Sequence, residues 1–268
     1  MKKLIVSGDS CTDLNFRSSA HPDWDFSFKK WPEHLAEHLG MELVCLGSMG
    51  HGNQYIYHSL LDEILRTPKD EIGLVVAGWS QAMRKDYQDD DDWRSVRTDP
   101  NGNLLGWVNK TLRHYMSFQI LCDRYELPYF HFQMGDLWEA YFEGLRPTDR
   151  DVVEGKDYKL IYPGDKNDDI KIIERINSCE DDINNFIGWP PIQKDTIAKT
   201  AVARSLANSL GIDQFKYNLD GFNVCDKVLG ANTYDQIENE LILSELDDHP
   251  NEAGHKAIAD FLIEELEL

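Results

Sequence analysis

The chain has no long hydrophobic run; its apolar stretches are broken every few residues, far short of the roughly 20 that a membrane-crossing helix needs. After Met1-Lys2-Lys3 the apolar stretch is about five residues, too short for the core of a signal peptide. A cytoplasmic protein without membrane contacts is expected. Basic residues are also scarce. Lys and Arg number 27 against 48 Asp and Glu, for a formal charge of −21. A surface this acidic repels phosphate backbones and anionic headgroups, so nucleic acid is a poor partner. Cysteines are five, an odd number, and none forms a CxxC pair. Cys11, Cys45, Cys122, Cys179 and Cys225 read as free thiols in a reducing compartment. Gly, Pro and Ser form no long block, which excludes a fibrous or disordered chain.

What is present suits one folded domain. With 268 residues, 41% of them hydrophobic, the chain can build one sizeable core but not two domains with linkers. Short apolar runs predict strands over 3–7, 42–46, 72–77 and 129–132. Helical spacing predicts helices over 31–39, 55–65, 105–125, 196–210 and 251–265. The alternating order predicts a parallel sheet covered by helices on both faces, a three-layer α/β/α sandwich. Ligands bind such sheets at the carboxyl ends of the strands. Three of those ends carry polar or glycine-rich clusters: Gly8-Asp9-Ser10, residues 47–53 and residues 78–81. Residues 135–191 break the rhythm and read as an insertion, either a lid over the substrate or an extension of the core. The acidic run at 89–92 reads as a solvated loop rather than a metal site.

Ser10 follows a buried strand, at the rim of the sheet. Its hydroxyl is a weak nucleophile without a base, and by position alone it equally suits a helix cap. His249 supplies a base. It stands in Asp247-Asp248-His249-Pro250-Asn251, with Pro250 placed at the first position of the last helix. An acidic neighbour can orient its ring and stabilise the imidazolium. Asp247 is the choice for that role and Asp248 the alternative. Either segment alone would also be explained by capping and a surface histidine. His249 and His255 could be imagined as zinc ligands, but their six-residue offset does not place them on one helical face.

Together the segments resemble the SGNH/GDSL hydrolase superfamily. Gly8-Asp9-Ser10 matches the block that carries the nucleophile. Residues 47–50 fall where a glycine donates to the oxyanion hole, with Gly50 the better match and Gly47 the fallback. Asp247-Asp248-His249-Pro250-Asn251 with Gly254-His255 matches the block that supplies acid and base. The resemblance covers the sheet framework and omits 135–191. It implies the flavodoxin-like SGNH fold and a serine esterase or deacylase without metal or organic cofactor.

Two positions depart from the pattern. Ser80 stands where the family has an oxyanion-hole asparagine, and Asn53 is the available substitute. Asp247 lies two residues before the histidine instead of three. Ser10, Gly50, Ser80 and Asn53 are the expected oxyanion-hole residues. Asp9, His51, Trp79 and Arg84 are the further candidates for contacting substrate; a core position for Trp79 and a surface ion pair for Arg84 are the alternatives. His255 reads as structural. The expected reaction is hydrolysis of a carboxylic ester, or deacylation of a small acylated molecule or carbohydrate. An acyltransferase on the same site, and a carbohydrate-binding or structural protein, for instance of a phage, are the alternatives.

Overall fold

Alternation along the first strand already divides the molecule. In β1 (Lys3–Ser7), Leu4 and Val6 face one core and Ile5 the other, as the two-residue period of a strand requires. The computed structural model describes residues 1–90, 92–97, 99–137, 166–191, 221–230, 240–244 and 246–267. α1 (Trp31–Leu39) has Pro32 in its first turn and ends at Gly40, whose φ of 61° closes the helix. There follow β2 (Glu42–Cys45), α2 (Asn53–Arg66) and β3 (Ile72–Trp79). β4 (Lys85–Asp89) and β5 (Asp92–Val96) pair as an antiparallel hairpin. α3 (Leu104–Tyr125) is capped by Asn103, which accepts from Gly106 N, and leads to β6 (Tyr129–Gln133). After them come α4 (Lys166–Asn177), β7 (Phe186–Ile187), α5 (Val224–Leu229), β8 (Ile242–Ser244), β9 (Asp247–Pro250) and α6 (Glu252–Glu265).

The central sheet is parallel, in the order β2-β1-β3-β6-β7. α1, α5 and α6 cover one face through Trp31, Leu35, Val224, Ile258 and Leu262. α2, α3 and α4 cover the other through Ile56, Leu60, Leu112, Phe118 and Ile172. This is the three-layer α/β/α sandwich expected. Burial on both faces explains why the central strand β3 is apolar without alternation, as in Leu74-Val75-Val76-Ala77. All five cysteines are free. Among the described residues, no helix is long and apolar enough to cross a membrane.

Several elements differ from the sequence reading. β3 does not stop before Gly78 but continues to Trp79, and a Cβ at Gly78 would lie 3.4 Å from the Phe132 ring. In the acidic run, Asp89 and Asp92 pair at the closing end of the β4–β5 hairpin, and Asp90 adopts φ 54°. Of the segment set apart at 135–191, the part over 166–191 extends the sheet framework. α4 packs on α3, and β7 adds the fifth strand. Charges on its outer side obscured that periodicity in the sequence. Residues 138–165, which bear on the lid reading, and the helix expected over 196–210 lie outside the described residues. Finally, Pro250 ends β9 instead of opening the last helix. Asn251 is the cap, accepting from Gly254 N at 3.0 Å, because its side chain satisfies an otherwise orphaned donor.

Candidate active site

At the end of β1 the backbone turns sharply, with Thr12 N and Asp13 N both donating to Asp9 O at 2.9 and 3.1 Å. Ser10 lies on this turn, at the carboxyl edge of the sheet. The next described helix begins at Trp31, so Ser10 caps none. Two glycines let the chain pass this closely. A Cβ on Gly8 would lie 2.2 Å from Thr12 Oγ1, and one on Gly47 would lie 2.7 Å from the Thr12 carbonyl. The loop after β2 therefore packs backbone against backbone on the nucleophile turn, and Gly8 lies under the Thr12 side chain.

His249 reaches this turn from β9. Its Nε2 lies 2.8 Å from Ser10 Oγ, and its Nδ1 lies 2.5 Å from Asp247 Oδ1. The antiparallel partner β8 and the cap at Asn251 hold β9 in place, since Asn251 also donates to Glu240 O and Ile242 O. Asp248 Oδ1 stands farther from Nδ1, at 4.0 Å, and its side chain is exposed. Burial alone would lower the pKa of His249, but the Asp247 hydrogen bond and the negative charges around the ring outweigh it and raise it to about 9. Burial would raise the Asp247 pKa, but hydrogen bonds from His249 and Ser18 outweigh it and hold it at about 2.

The expected oxyanion donors separate into two groups. Ser80 Oγ donates its single proton to Asp9 Oδ2 at 2.8 Å. Asn53 Nδ2 donates to Ser80 O and Thr111 Oγ1, at 2.9 and 3.1 Å, while its Oδ1 accepts from Ser80 N at 2.7 Å. Both side chains are thus committed to holding the end of β3, and neither offers a hydrogen to an oxyanion in this arrangement. Backbone groups remain. In the loop after β2, Ser48 N donates to Gly8 O, Met49 N to Asp13 Oδ2 and Gly52 N to Asp86 Oδ1. Burial raises the Cys45 thiol pKa to about 12, against a smaller lowering by the Gly47 backbone N–H. Gly50 N and Ser10 N have no acceptor among the described residues. Gly50 adopts φ 83°, a conformation that favours glycine.

The other residues singled out are placed as follows. Asp9 is buried and accepts from Cys11 N as well as from Ser80, with Arg84 Nη1 at 3.9 Å. Its carboxylate thus links the nucleophile turn to the end of β3. Arg84 donates to His51 O at 2.9 Å, which ties it to the glycine loop. The His51 ring packs on Tyr55, with centroids 4.3 Å apart. Trp79 is fully buried, and its Nε1 donates to His131 Nδ1 at 3.0 Å; it is a core residue and not a stacking platform. His255 is buried, and its Nδ1 accepts from Trp31 N.

The sequence reading passed over two groups of site residues. Asp86, in the hairpin, accepts from Gly52 N and Tyr55 N and so caps α2. Phe16 and Ser18, in the aperiodic segment after the nucleophile, reach His249 and Asp247. Phe16 stacks on the imidazole at 4.3 Å, and Ser18 Oγ donates to Asp247 Oδ2. No spacing rule connects residues that far apart.

No protein-family model and no curated protein matches the chain. Solved structures similar to it include a protein assigned to the G-D-S-L lipolytic family from Desulfitobacterium hafniense (13% identity, 98% of each chain, TM-score 0.43). Another is a variant of an acetyl xylan esterase from Geobacillus stearothermophilus (11% identity, 98% of this chain and 94% of that one, TM-score 0.38). A third is a member of the lipolytic G-D-S-L family from Veillonella parvula (13% identity, 98% and 97%, TM-score 0.35).

Proposed function

We propose that this protein is a serine hydrolase that cleaves a carboxylic ester, or an O-acyl group such as acetyl, from a small molecule or carbohydrate. One observation carries this reading: the hydrogen-bonded chain from Ser10 Oγ through both nitrogens of His249 to Asp247. That relay supplies a nucleophile, a base and an orienting carboxylate in one line.

In the reaction, neutral His249 takes the Ser10 proton while Oγ bonds to the acyl carbon. The carbonyl electron pair moves to oxygen and is met by the N–H groups of Ser10 and Gly50. As the tetrahedral intermediate collapses, the imidazolium returns its proton to the leaving alkoxide. Water, deprotonated by His249, then adds to the acyl carbon; the Ser10 Oγ–acyl bond breaks, Oγ takes the proton back from the imidazolium, and the acid leaves. With Ser80 and Asn53 committed elsewhere, two backbone donors hold the oxyanion. Each donor is worth on the order of a hundredfold in rate, so turnover should be slow for the mechanism. A net charge of −21 favours uncharged acyl esters over anionic ones.

A fluorophosphonate probe tests the reading directly. Labelling of the native chain at Ser10, absent in Ser10→Ala, supports it. Release of p-nitrophenol from p-nitrophenyl acetate that persists undiminished in both Ser10→Ala and His249→Ala would overturn it.

A further inference from the structure

Ser18 and Asp247 lie 229 residues apart in the chain and meet through their side chains. Ser18 is buried, 2% exposed. Its Oγ accepts from Ala20 N at 3.2 Å and from His21 N at 3.1 Å. A hydroxyl has two acceptor positions and one proton. With both acceptor positions filled by backbone N–H groups, the proton has one direction left, toward Asp247 Oδ2.

Asp247 is therefore held from both sides. Its Oδ1 accepts from His249 Nδ1 and from His249 N at 3.1 Å, and its Oδ2 accepts from Ser18. The carboxylate cannot turn about its own bond without losing a charge-assisted hydrogen bond. Phe16, on the same segment and 4% exposed, lies against the imidazole with an interplanar angle of 26°. The tautomer of His249 is set by Asp247, the plane of its ring by Phe16, and the rotation of Asp247 by Ser18. The segment that begins with the candidate nucleophile thus returns to clamp the acid and the base.

We propose that Ser18 is a positioning residue for the Asp247–His249 pair, acting through its hydrogen bond to the carboxylate. This rests on the reading of Ser10 as a nucleophile activated by His249. Ser18 touches none of the reacting atoms. Without its hydroxyl, Oδ2 turns to solvent and Oδ1 loses its alignment with Nδ1. The ring then gives up part of the stabilisation of its charged form. Asp247 and Asp248 are the carboxylates that raise the His249 pKa, and Ser18→Ala removes neither of them. A change in His249 titration therefore reports alignment.

The test compares the full chain with Ser18→Ala, Asp247→Asn and the double variant. The His249 ring is titrated by NMR, and kcat and KM are measured on p-nitrophenyl acetate. In Ser18→Ala the His249 midpoint is expected to fall from about 9 toward 6.5. The pH-independent limit of kcat, reached where the ring is neutral in both proteins, is expected to fall about tenfold, a fraction of the 10²–10⁴ that an acid–base group contributes, with KM little changed. In the Asp247→Asn background Ser18→Ala should cost little more, because its effect passes through the carboxylate. An unchanged midpoint in Ser18→Ala overturns the inference. So does a tenfold loss that recurs in the Asp247→Asn background, which would assign Ser18 to loop packing alone. If the native chain neither labels at Ser10 nor turns over ester, the hydrolase reading fails by itself, and the NMR titration still decides whether Ser18 holds the pair.

Discussion

Ser80 donates its hydroxyl proton to Asp9 Oδ2 across 2.8 Å, which joins the end of β3 to the nucleophile turn. Asp9 in turn accepts from Cys11 N, the residue after Ser10. The position that faced the oxyanion in the sequence reading is in the structure a strut beneath the serine.

Ser80→Ala should therefore behave as a loss of support. It leaves a buried carboxylate oxygen short of a donor, at a cost of about 1–3 kcal/mol in stability. Its effect on kcat should stay well below the roughly hundredfold loss that follows removal of an oxyanion donor. Urea unfolding and p-nitrophenyl acetate kinetics on the same variant separate the two roles. A hundredfold loss of kcat with unchanged stability would return Ser80 to the oxyanion hole.

The raised pKa of His249 sets opposite pH trends for activity and stability. Only the neutral ring is a base, so kcat/KM should climb as pH rises through about 9. The His249 contribution to stability is complete below 6.5 and is lost as pH rises through about 9. The Asp247 contribution is complete above 3.8 and is lost as pH falls through about 2. The pair thus stabilises the fold most between those limits. Melting temperatures from pH 4 to 10 should show the alkaline decline. Asp247→Asn should flatten it and move the rise in kcat/KM to lower pH. A decline equally steep in Asp247→Asn would show that other groups cause it.

Gly8→Ala should damage both fold and site. The new Cβ would lie 2.2 Å from Thr12 Oγ1 and 2.7 Å from Thr12 Cβ. Overpacking of this kind costs about 1–3 kcal/mol. Because Gly8 sits two residues before Ser10, the strain falls on the nucleophile turn. A lowered melting temperature together with reduced fluorophosphonate labelling is the expected outcome; native-like values for both would contradict the close approach.

Cys11, next to Ser10, should not act as a rival nucleophile. Its hydrogen bond with Cys225 and its partial burial push the thiol pKa well above the ordinary value, so little reactive thiolate forms near neutrality. Iodoacetamide at pH 7.5 should spare Cys11 in the folded protein and alkylate it after unfolding, as read by peptide mass spectrometry. Rapid alkylation of the folded protein at Cys11 would show that the thiol is open and ionised.

The sandwich was legible in the sequence because its strands are short apolar runs and its helices carry one apolar face. Both patterns are local consequences of burial. α4 and β7 were not legible. β7 is a two-residue edge strand, too short to show a period, and α4 lies in a charge-rich stretch. The hairpin at Lys85–Val96 was hidden for a related reason: exposed strands full of Asp, Arg and Gln read as loop.

The sequence by itself determined which residues could do chemistry: a serine after the first strand, a glycine loop after the second, and an Asp-x-His segment before the last helix. Hydroxyl, imidazole and carboxylate are properties of residue type, and their order along the chain survives folding. Only the tertiary structure decided which hydrogens remain available. It turned Ser80 toward Asp9, drew Asn53 onto the backbone of Ser80, left the N–H groups of Ser10 and Gly50 without an acceptor among the described residues, and brought Ser18 to Asp247. A hydrogen bond is a matter of ångströms and angles between groups far apart in sequence, and no local pattern encodes where a single proton points.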